Sequence, residues 1–315
     1  MYDLIIIGGG PAGAAGAVYA ARKQLKTLLI TADFGGQSVV SSGIQNWIGT
    51  PEISGAELAE NLKKHVLAYA NDVVTVKEGE KVVFIKKTTP SEVEGSRDIF
   101  SVTTDQNNNY QGKTILICAG SGRRKLEAKG ADKLEHKGLT YCASCDGPLF
   151  AGMDVAVIGG GNAAFETAAQ LLAYTKSVTL IHRGDSFKAD EITVKKVLSH
   201  PNMKSVLNSE TLEIKGDKFV EGIIYKNKIT GGTQELKVSG IFVEIGQIPN
   251  TGFVKGIVEL DEYNRIKIDP WSQKTSVPGI WAAGDSTNIL YHQNNIAAGD
   301  AVRALEDIYL SIHAK

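Results

Sequence analysis

Residues 3–18 read DLIIIGGGPAGAAGAV, and this stretch decides the fold. The apolar run at residues 4–7 has the length and composition of a buried parallel strand. It leads into a GxGxxG motif at residues 8–13 and then into an alanine-rich stretch that predicts a helix to about residue 22. A second apolar run, TLLI at residues 27–30, predicts the next strand. This strand–helix–strand order is typical of a dinucleotide-binding unit.

Each glycine of the motif has a physical reason. Gly8 permits the tight turn, Gly10 lets backbone amides approach a pyrophosphate, and Gly13 lets the helix lie close to the strand. A single GxGxxG motif is weak evidence, because glycine-rich turns are common. Its position between a predicted strand and a predicted helix strengthens it.

The pattern recurs in the middle of the chain. Residues 154–166 read DVAVIGGGNAAFE, in which an apolar strand enters Gly159-x-Gly161-x-x-Ala164 and an alanine-rich helix. The next predicted strand, residues 177–181, ends where the residue that reads the ribose of the nucleotide is expected. Two such motifs, each in its structural context, imply two bound dinucleotides.

A third segment, TSVPGIWAAGD at residues 275–285, predicts a strand over 279–282 that presents Gly284 and Asp285. By itself the segment fits a Gly-Asp turn after a strand. With two glycine motifs upstream, it resembles the second FAD fingerprint of flavoproteins that bind two dinucleotides. That resemblance implies that Asp285 binds the ribityl chain of FAD. The first and last segments are therefore expected to bind FAD, and the middle one a nicotinamide nucleotide.

These motifs predict an α/β protein with two Rossmann-like dinucleotide-binding domains, the nicotinamide domain being inserted in the FAD domain. The predicted boundaries are 1–116 for the first part of the FAD domain, 117–241 for the nicotinamide domain and 242–315 for the second part of the FAD domain. The two crossings pair apolar strands with small residues. They are predicted to act as hinges about which the two domains rotate.

Two further patterns concern the first domain. Residues 72–113 alternate apolar and polar positions between turn clusters, which predicts an antiparallel β layer. The SxxE sequence at residues 54–57 is a capping box that predicts the start of a helix. The apolar positions that recur at helical spacing in this helix are expected in the core: Leu58, Leu62, Val66 and Tyr69.

Residues 141–150 read YCASCDGPLF and contain two of the three cysteines, Cys142 and Cys145. A zinc site usually needs a second pair of ligands at similar spacing, and the sequence has none. The chain opens without a visible leader, so the expected compartment is the reducing cytoplasm, where a structural disulfide would not persist. A redox pair remains. Asp146 would manage its protons if buried, although Asp-Gly-Pro also favours a plain turn. Cys118, in an apolar strand, is expected in the core.

The composition excludes some functions. Apolar residues make up 43% and charged residues 22%, which is ordinary for a globular protein. The formal net charge is -1 and there is no basic stripe, which argues against a nucleic-acid partner. No apolar run is long enough to span a membrane.

The segments GGGPAG, FGGQ, CASCDGPLF, GGGNAAFE and IWAAGD, in this order and spacing, resemble low-molecular-weight thioredoxin reductases. They are also similar to the reductase core of the alkyl hydroperoxide reductase flavoprotein, and the resemblance runs from about residue 2 to residue 310. It implies a homodimeric FAD enzyme of the flavoprotein disulfide reductase type. Electrons pass from NAD(P)H through the flavin to the cysteine pair and on to a thioredoxin or a glutaredoxin-like protein. The resemblance also implies that Cys145 lies next to the flavin, that Cys142 attacks the partner and that Asp146 acts as the acid.

The same resemblance supplies the expected cofactor contacts. For FAD they are Gly8, Gly10, Pro11, Ala12, Gly13, Thr31, Gly36, Gln37, Asn46, Gly284, Asp285, His292 and Gln293. For NAD(P)H they are Gly159, Gly161, Asn162, Ala163, Ala164, Glu166, His182, Arg183 and Lys188. His292 is a departure, because the family usually has arginine there, and a plain surface histidine is the alternative. Gln37 and Asn46 also fit polar loop residues.

The choice of nicotinamide nucleotide depends on residues 182–188, HRGDSFK. Thioredoxin reductases that use NADPH typically show HRRxxxR at this point, whereas the alkyl hydroperoxide type has glutamate at the position of His182. One arginine is kept, one is Gly184 and one is Lys188, so NADPH is favoured and NADH stays as the alternative. Arg183 and Lys188 also fit solvated surface charges.

The chain starts at Met1 directly on the first strand, without the thioredoxin-like module of the alkyl hydroperoxide flavoprotein, so a separate partner protein is expected. Two rival functions stay open. One is an NADH-dependent reductase of a peroxiredoxin or glutaredoxin-like system. The other is a flavin-binding sensor without turnover, against which the cysteine pair argues.

Overall fold

The computed structural model describes residues 1–41, 43–88 and 98–313. The chain divides into two compact units: unit 1 is Met1–Gly122 with Ile248–Lys315, and unit 2 is Arg123–Gln247. The sequence analysis put the crossings at residues 116 and 241, and the division of the structure lies slightly further along the chain at both. Two short strands that pair with each other, Ser121–Arg123 and Gln247–Pro249, carry the two connections.

The strands are, in chain order, β1 Tyr2–Gly9, β2 Thr27–Phe34, β3 Val74–Glu78, β4 Val82–Thr88, β5 Ile99–Thr104, β6 Asn109–Ile117, β7 Ser121–Arg123, β8 Leu139–Thr140, β9 Asp154–Gly159, β10 Ser177–Ile181, β11 Met203–Val206, β12 Ser209–Gly216, β13 Val220–Asn227, β14 Thr233–Lys237, β15 Gly240–Glu244, β16 Gln247–Pro249 and β17 Ile280–Ala282. The α-helices are α1 Pro11–Arg22, α2 Gly55–Ala70, α3 Ala131–Leu134, α4 Ala143–Asp146, α5 Asn162–Leu171, α6 Glu191–Leu198 and α7 Asn294–His313. In the part of the chain that the structure describes, none of these helices has the length and apolar content that crossing a membrane requires.

Unit 1 is built on a sheet with the strand order β3-β2-β1-β6-β5-β4, and β17 also pairs with β6. The strands β3, β2, β1, β6 and β17 are parallel, whereas β4 and β5 run antiparallel to their neighbours. The prediction of an antiparallel layer over residues 72–113 is therefore wrong for β3. Because α2 crosses over between β2 and β3, β3 returns in the same direction as β2.

Successive residues of β1 face opposite sides of this sheet. Leu4 and Ile6 pack with the buried alanines of α1 and α7. Ile5 and Ile7 pack on the other side with the β4–β5 layer, including Phe100. All four of these β1 side chains are buried, so a sheet covered on both faces explains why the strand reads as a continuous apolar run.

The helix start that the SxxE sequence predicts is confirmed, with Ser54 as the N-cap of α2, because Ser54 Oγ accepts a hydrogen bond from the Glu57 backbone N–H at 3.2 Å. Leu58 and Val66 are buried as predicted. The prediction for Tyr69 is wrong, since its side chain is exposed and its ring lies against the Arg22 guanidinium. Ala70 takes the buried position in that last turn instead.

Unit 2 contains a five-stranded, fully parallel sheet with the order β11-β10-β9-β15-β8 and a separate antiparallel sheet, β12-β13-β14. Val155 and Val157 of β9 pack with α5 and α6, while Ala156 and Ile158 face the residues of the antiparallel sheet. The two predicted strand–helix–strand units are thus both present, and β1 and β9 are the strands that carry the glycine motifs.

Candidate active site

A cavity of about 790 Å³ opens in unit 1 at the carboxyl ends of β1, β2 and β6. These parallel strands meet where a doubly wound sheet binds its ligand. Nine of the residues predicted to contact FAD line this cavity: Gly8, Gly10, Pro11, Ala12, Thr31, Gly36, Gln37, Gly284 and Asp285.

The packing around the glycine loop of unit 1 explains why its residues are glycines. Gly8 has φ +111°, and a Cβ there would overlap the carbonyl oxygen of Cys118. A Cβ on Gly13 would overlap the carbonyl oxygen of Gly8. At Gly10, by contrast, the nearest atom to an added Cβ is 4.0 Å away, on Gly36. The backbone is therefore tightly packed at Gly8 and Gly13, whereas there is free space at Gly10, which lines the cavity.

The residues present fit a dinucleotide such as FAD. The opening at Gly10 leads to the first turn of α1, where backbone N–H groups have no partner within the helix and attract a pyrophosphate. Pro11 at the first helical position gives up no hydrogen bond. Asp285 lies on the cavity wall with hydrogen-bonding capacity toward hydroxyl groups.

Four of the predicted FAD contacts are not among the described residues that line the cavity: Gly13, Asn46, His292 and Gln293. Gly13 acts by packing, as described above. Asn46 Nδ2 donates to Gln293 Oε1 at 3.2 Å, and Asn295 Nδ2 donates to the carbonyl of Asn46 at 2.7 Å. These bonds connect the loop around residue 46 to the start of α7. His292 is half-buried beside them in sequence.

The cavity wall also contains residues that the sequence analysis did not select. Cys118 to Ser121 follow β6, and residues 80–83 come from the connection after β3 and the start of β4. The first group could have been selected from the sequence, since it directly follows an apolar strand, and this strand pairs with β1 in the structure. The second group carries no motif and reaches the cavity only through the pairing of the sheet. Cys118 is buried, as predicted.

The second glycine loop lies in unit 2 between β9 and α5. A Cβ on Gly159 would overlap the carbonyl oxygen of Glu244, and it would lie 2.9 Å from the Cβ of Ala164. Around Gly161 nothing lies within 4 Å of an added Cβ. Ala164 is buried, whereas the other predicted contacts of α5 are exposed: Asn162, Ala163 and Glu166. The backbone plan therefore repeats that of unit 1.

The segment after β10 is attached to this loop. The His182 ring packs against Gly160 and tilts toward the ring of Phe187, and burial lowers the pKa of its imidazole. The Lys188 backbone N–H donates to the carbonyl of Gly160 at 2.8 Å. His182 is therefore an uncharged wall of the loop at neutral pH, while the side chains of Arg183 and Lys188 are exposed beside it.

One acidic residue at this loop was missed by the sequence analysis. Glu244 is the last residue of β15 and lies in register with Gly159 of β9. Its Oε1 accepts a hydrogen bond from the Thr167 hydroxyl at 2.8 Å. Burial raises the pKa of the Glu244 carboxyl to about 7. The only sequence signal was an acid within the apolar strand GIFVE.

Unit 2 also holds the cysteine pair, at α4. Cys142 and Cys145 form a disulfide with their Cα atoms 5.3 Å apart. Cys142 caps the helix, because its Sγ accepts from the Cys145 backbone N–H at 3.2 Å. Both residues are half-buried, so they combine partial access with a fixed geometry.

Asp146 is fixed to the pair by Thr140, a residue that the sequence analysis did not select. The buried Thr140 hydroxyl donates to Asp146 Oδ2 and accepts from the Cys142 backbone N–H at 3.4 Å. The Asp146 backbone N–H donates to the Cys142 carbonyl at 3.0 Å. The structure thus brings the three predicted catalytic residues together and adds a hydroxyl that orients the carboxyl group.

A glycine loop in each unit and a disulfide in unit 2 are features of a known protein family. The family model for pyridine nucleotide-disulphide oxidoreductases matches residues 2–301. The chain belongs to this family. Membership implies a flavin and a nicotinamide cofactor serving disulfide oxidoreduction, and it confirms the fold class predicted from the motifs.

Similar proteins carry three different names. The thioredoxin reductase from Streptococcus pyogenes MGAS5005 has a TM-score of 0.89 and 32% identity, covering 100% of this chain and 99% of that one. The alkyl hydroperoxide reductase F subunit of Xanthomonas campestris pv. phaseoli is 37% identical over 96% of this chain. A Bacillus subtilis relative named NADH dehydrogenase is also 37% identical over 96% of this chain. This chain spans 56% and 57% of the length of those two relatives. The predicted resemblance to both groups is confirmed.

Proposed function

We propose that the chain is a thioredoxin-disulfide reductase. It moves electrons from NADPH through FAD and the Cys142–Cys145 pair to a disulfide of a thioredoxin-fold protein. The observation that carries this proposal is the disulfide of α4, with Asp146 oriented by Thr140, in the unit that also holds the second glycine loop. The proposal includes a homodimer acting in the cytoplasm, as the resemblance implies.

Unit 1 is the proposed FAD site, because its cavity is lined by the residues that this cofactor would contact. A bound flavin would supply two-electron chemistry between a nicotinamide nucleotide and a disulfide. The contribution of the chain is to bind and orient it. The first turn of α1 offers backbone N–H groups to the pyrophosphate, and Asp285 offers its carboxylate to hydroxyl groups of the sugar chain.

The thiol steps follow from the geometry of α4. Two electrons and one proton convert the Cys142–Cys145 disulfide to one thiol and one thiolate. The Cys142 thiolate attacks a disulfide of the partner, forms a mixed disulfide and releases one partner sulfur, which takes a proton from Asp146. Cys145 then gives its thiol proton back to Asp146 and attacks Cys142 Sγ, which restores the internal disulfide and releases the second partner sulfur, and this sulfur takes a proton from solvent. Each round consumes two electrons and two protons.

A second candidate function is an NADH-dependent reductase that serves a peroxiredoxin or glutaredoxin-like system. The names of the curated relatives favour it, since one belongs to an alkyl hydroperoxide reductase and another is an NADH dehydrogenase. The residues after β10 favour NADPH instead, because Arg183 and Lys188 provide exposed positive charge where a 2′-phosphate would lie.

Steady-state rates separate the two functions. The purified flavoprotein is supplied with NADPH or NADH and with an oxidised thioredoxin, a glutaredoxin-like protein or an oxidised peroxiredoxin. We expect the largest kcat/KM for NADPH with thioredoxin. A larger value for NADH with the peroxiredoxin or glutaredoxin-like acceptor would establish the second function.

A variant tests the role of the sulfurs. Cys142→Ser should retain reduction of the flavin by NADPH and lose disulfide reduction. The matched control is Ser144→Ala, an exposed side chain between the two cysteines that should keep both reactions. Disulfide reduction that persists in Cys142→Ser would show that the attacking thiol is assigned wrongly.

A further inference from the structure

Glu244 is a titratable group at the second glycine loop that none of the steps above uses. It ends β15, and β15 lies beside β9 on the side opposite β10. Because α5 leads from β9 to β10, the connections on the two sides of β9 go in opposite directions. The crevice at the carboxyl ends of β9 and β15 is therefore the topological switch point of unit 2, where a dinucleotide crosses the sheet.

Unit 1 offers an internal comparison. There the corresponding switch point lies between β1 and β6, and Cys118 follows β6 next to Gly8. An added Cβ on Gly8 meets the carbonyl oxygen of Cys118, just as one on Gly159 meets that of Glu244. Cys118 lines the cavity of unit 1. Glu244 thus occupies in unit 2 the position of a cavity-lining residue in unit 1.

The surroundings of Glu244 decide its charge. The groups that act on it are the Thr167 hydroxyl and Glu166 from α5, and Arg123 from β7. Burial outweighs the other influences and raises the pKa of the carboxyl to about 7, with Glu166 acting in the same direction. Arg123 and the Thr167 hydroxyl favour the ionised form. The carboxyl is therefore close to half-protonated at neutral pH.

We propose that Glu244 contacts the bound nicotinamide nucleotide and takes up a proton when the nucleotide binds. The proposal rests on the proposed function, because it requires the nucleotide at the second glycine loop. The pyrophosphate of the nucleotide carries two negative charges, so an ionised, partly buried carboxylate beside it would repel it. A protonated carboxyl removes the repulsion and can donate a hydrogen bond to an oxygen of the ligand.

The experiment measures the Kd of NAD⁺ for the flavin-loaded enzyme from pH 6 to pH 8. NAD⁺ is the probe because it lacks a 2′-phosphate that titrates in this range and because it does not reduce the flavin. We expect binding to weaken by about tenfold across this interval in the wild type. The reason is that the nucleotide binds the form with a protonated Glu244, and the fraction of this form falls as the pH rises through the pKa. In Glu244→Gln, which keeps the acceptor for Thr167, the Kd should change by less than about twofold.

Two further variants complete the design. Glu221→Gln removes an exposed carboxylate of β13 and should keep the wild-type dependence on pH. Thr167→Val removes the hydroxyl that favours the ionised form, and it should move the midpoint of the dependence to higher pH. Calorimetry in two buffers with different enthalpies of ionisation should record proton uptake on binding at pH 7 in the wild type and none in Glu244→Gln.

The outcomes are distinguishable. If NAD⁺ binds and the dependence on pH is the same in the wild type and in Glu244→Gln, the inference is wrong while the proposed function stands. Tighter binding at high pH would also overturn it, because the carboxylate would then be an acceptor. If neither NAD⁺ nor NADP⁺ binds and neither reduced nucleotide supports turnover, the proposed function itself fails.

Discussion

The helix after the first glycine loop is enclosed, whereas the helix after the second begins at the surface. Pro11 and Ala12 of α1 are buried, and α1 packs with the alanines of α7. Asn162 and Ala163, at the corresponding positions of α5, are exposed. The same backbone plan thus has two different settings. An enclosed site suits a cofactor that stays bound, and an open site suits a nucleotide that enters and leaves in every cycle.

The strongest test of this comparison changes the third small residue of each motif, Gly13 in the first and Ala164 in the second, into the residue found in the other motif. Gly13→Ala should destabilise unit 1 by about 3 kcal/mol or more, because the new methyl group would overlap a backbone oxygen that cannot move away easily. The visible absorbance of bound flavin after purification should be lost. Ala164→Gly should cost only about 1 kcal/mol and leave flavin bound, since the second loop already accommodates a methyl group.

Gly299→Ala is the control for this test, because nothing lies within 4 Å of an added Cβ at that helix position. It should retain the flavin and raise stability slightly. A yellow, stable Gly13→Ala protein would contradict the close packing of the first loop.

A second test uses the acid that distinguishes the second loop. The pKa of the Glu244 carboxyl is about 7 in the folded chain, against 4.5 for an ordinary glutamate side chain. Below pH 4.5 both states are protonated and there is no cost. Between pH 4.5 and 7 the unfolded state ionises first, so this residue lowers stability as pH rises, and the full cost is present above pH 7. Glu244→Gln should therefore stabilise the protein by about 3 kcal/mol at pH 8 and hardly at all at pH 4.5.

Thermal unfolding of the flavin-loaded enzyme at the two pH values checks this expectation, with Glu221→Gln as the matched variant. The midpoint should rise by about 5 °C at pH 8 in Glu244→Gln alone. An equal rise at both pH values would contradict a partly buried acid with a raised pKa.

A third test concerns the hydroxyl that orients Asp146. Thr140→Ala should slow reduction of a partner disulfide by about tenfold, because a hydrogen bond to a carboxylate contributes about 1.5 kcal/mol or more. Thr140→Ser keeps the hydroxyl and should restore most of the rate. The readout is the pH profile of kcat/KM, which should change in the alanine variant and not in the serine variant. Identical profiles would mean that Thr140 serves folding alone.

The smallest effect is expected at the open rim of the second loop. Arg183→Gln should weaken the use of NADPH by about fivefold and leave NADH unchanged, because one exposed charge contributes about 1 kcal/mol toward a phosphate. Lys204→Gln, an exposed lysine of β11, should change neither nucleotide. The ratio of the two kcat/KM values is the measurement, and equal losses for NADPH and NADH would remove Arg183 from the recognition of the 2′-phosphate.

The two glycine loops could be predicted from the sequence because every contact that defines them is local or lies on the neighbouring strand. Gly8 and Gly13 are five residues apart and touch each other. The residues 80–83 of the cavity wall could not be predicted in this way, since they reach the cavity through the pairing of β3 and β4 with other strands. The parallel direction of β3 was missed for the same reason.

The cysteine site shows the same limit. The motif CxxCD singled out Cys142, Cys145 and Asp146, and the structure brings them together at α4. Thr140 was missed because its role depends on how β8 turns into α4, and a threonine before a cysteine carries no signal by itself. Glu244 was missed because its meaning depends on the alignment of β15 with β9.

Unit 1 is assembled from two separated stretches of the chain, and this has a consequence for biosynthesis. When the ribosome has released residue 247, all of unit 2 has been made, but β17 and α7 have not. Unit 2 can therefore fold during translation, whereas α1 waits for the alanines of α7 that cover it. We therefore expect flavin to be captured only after α7 has been made, and a chain that ends before this helix should be colourless.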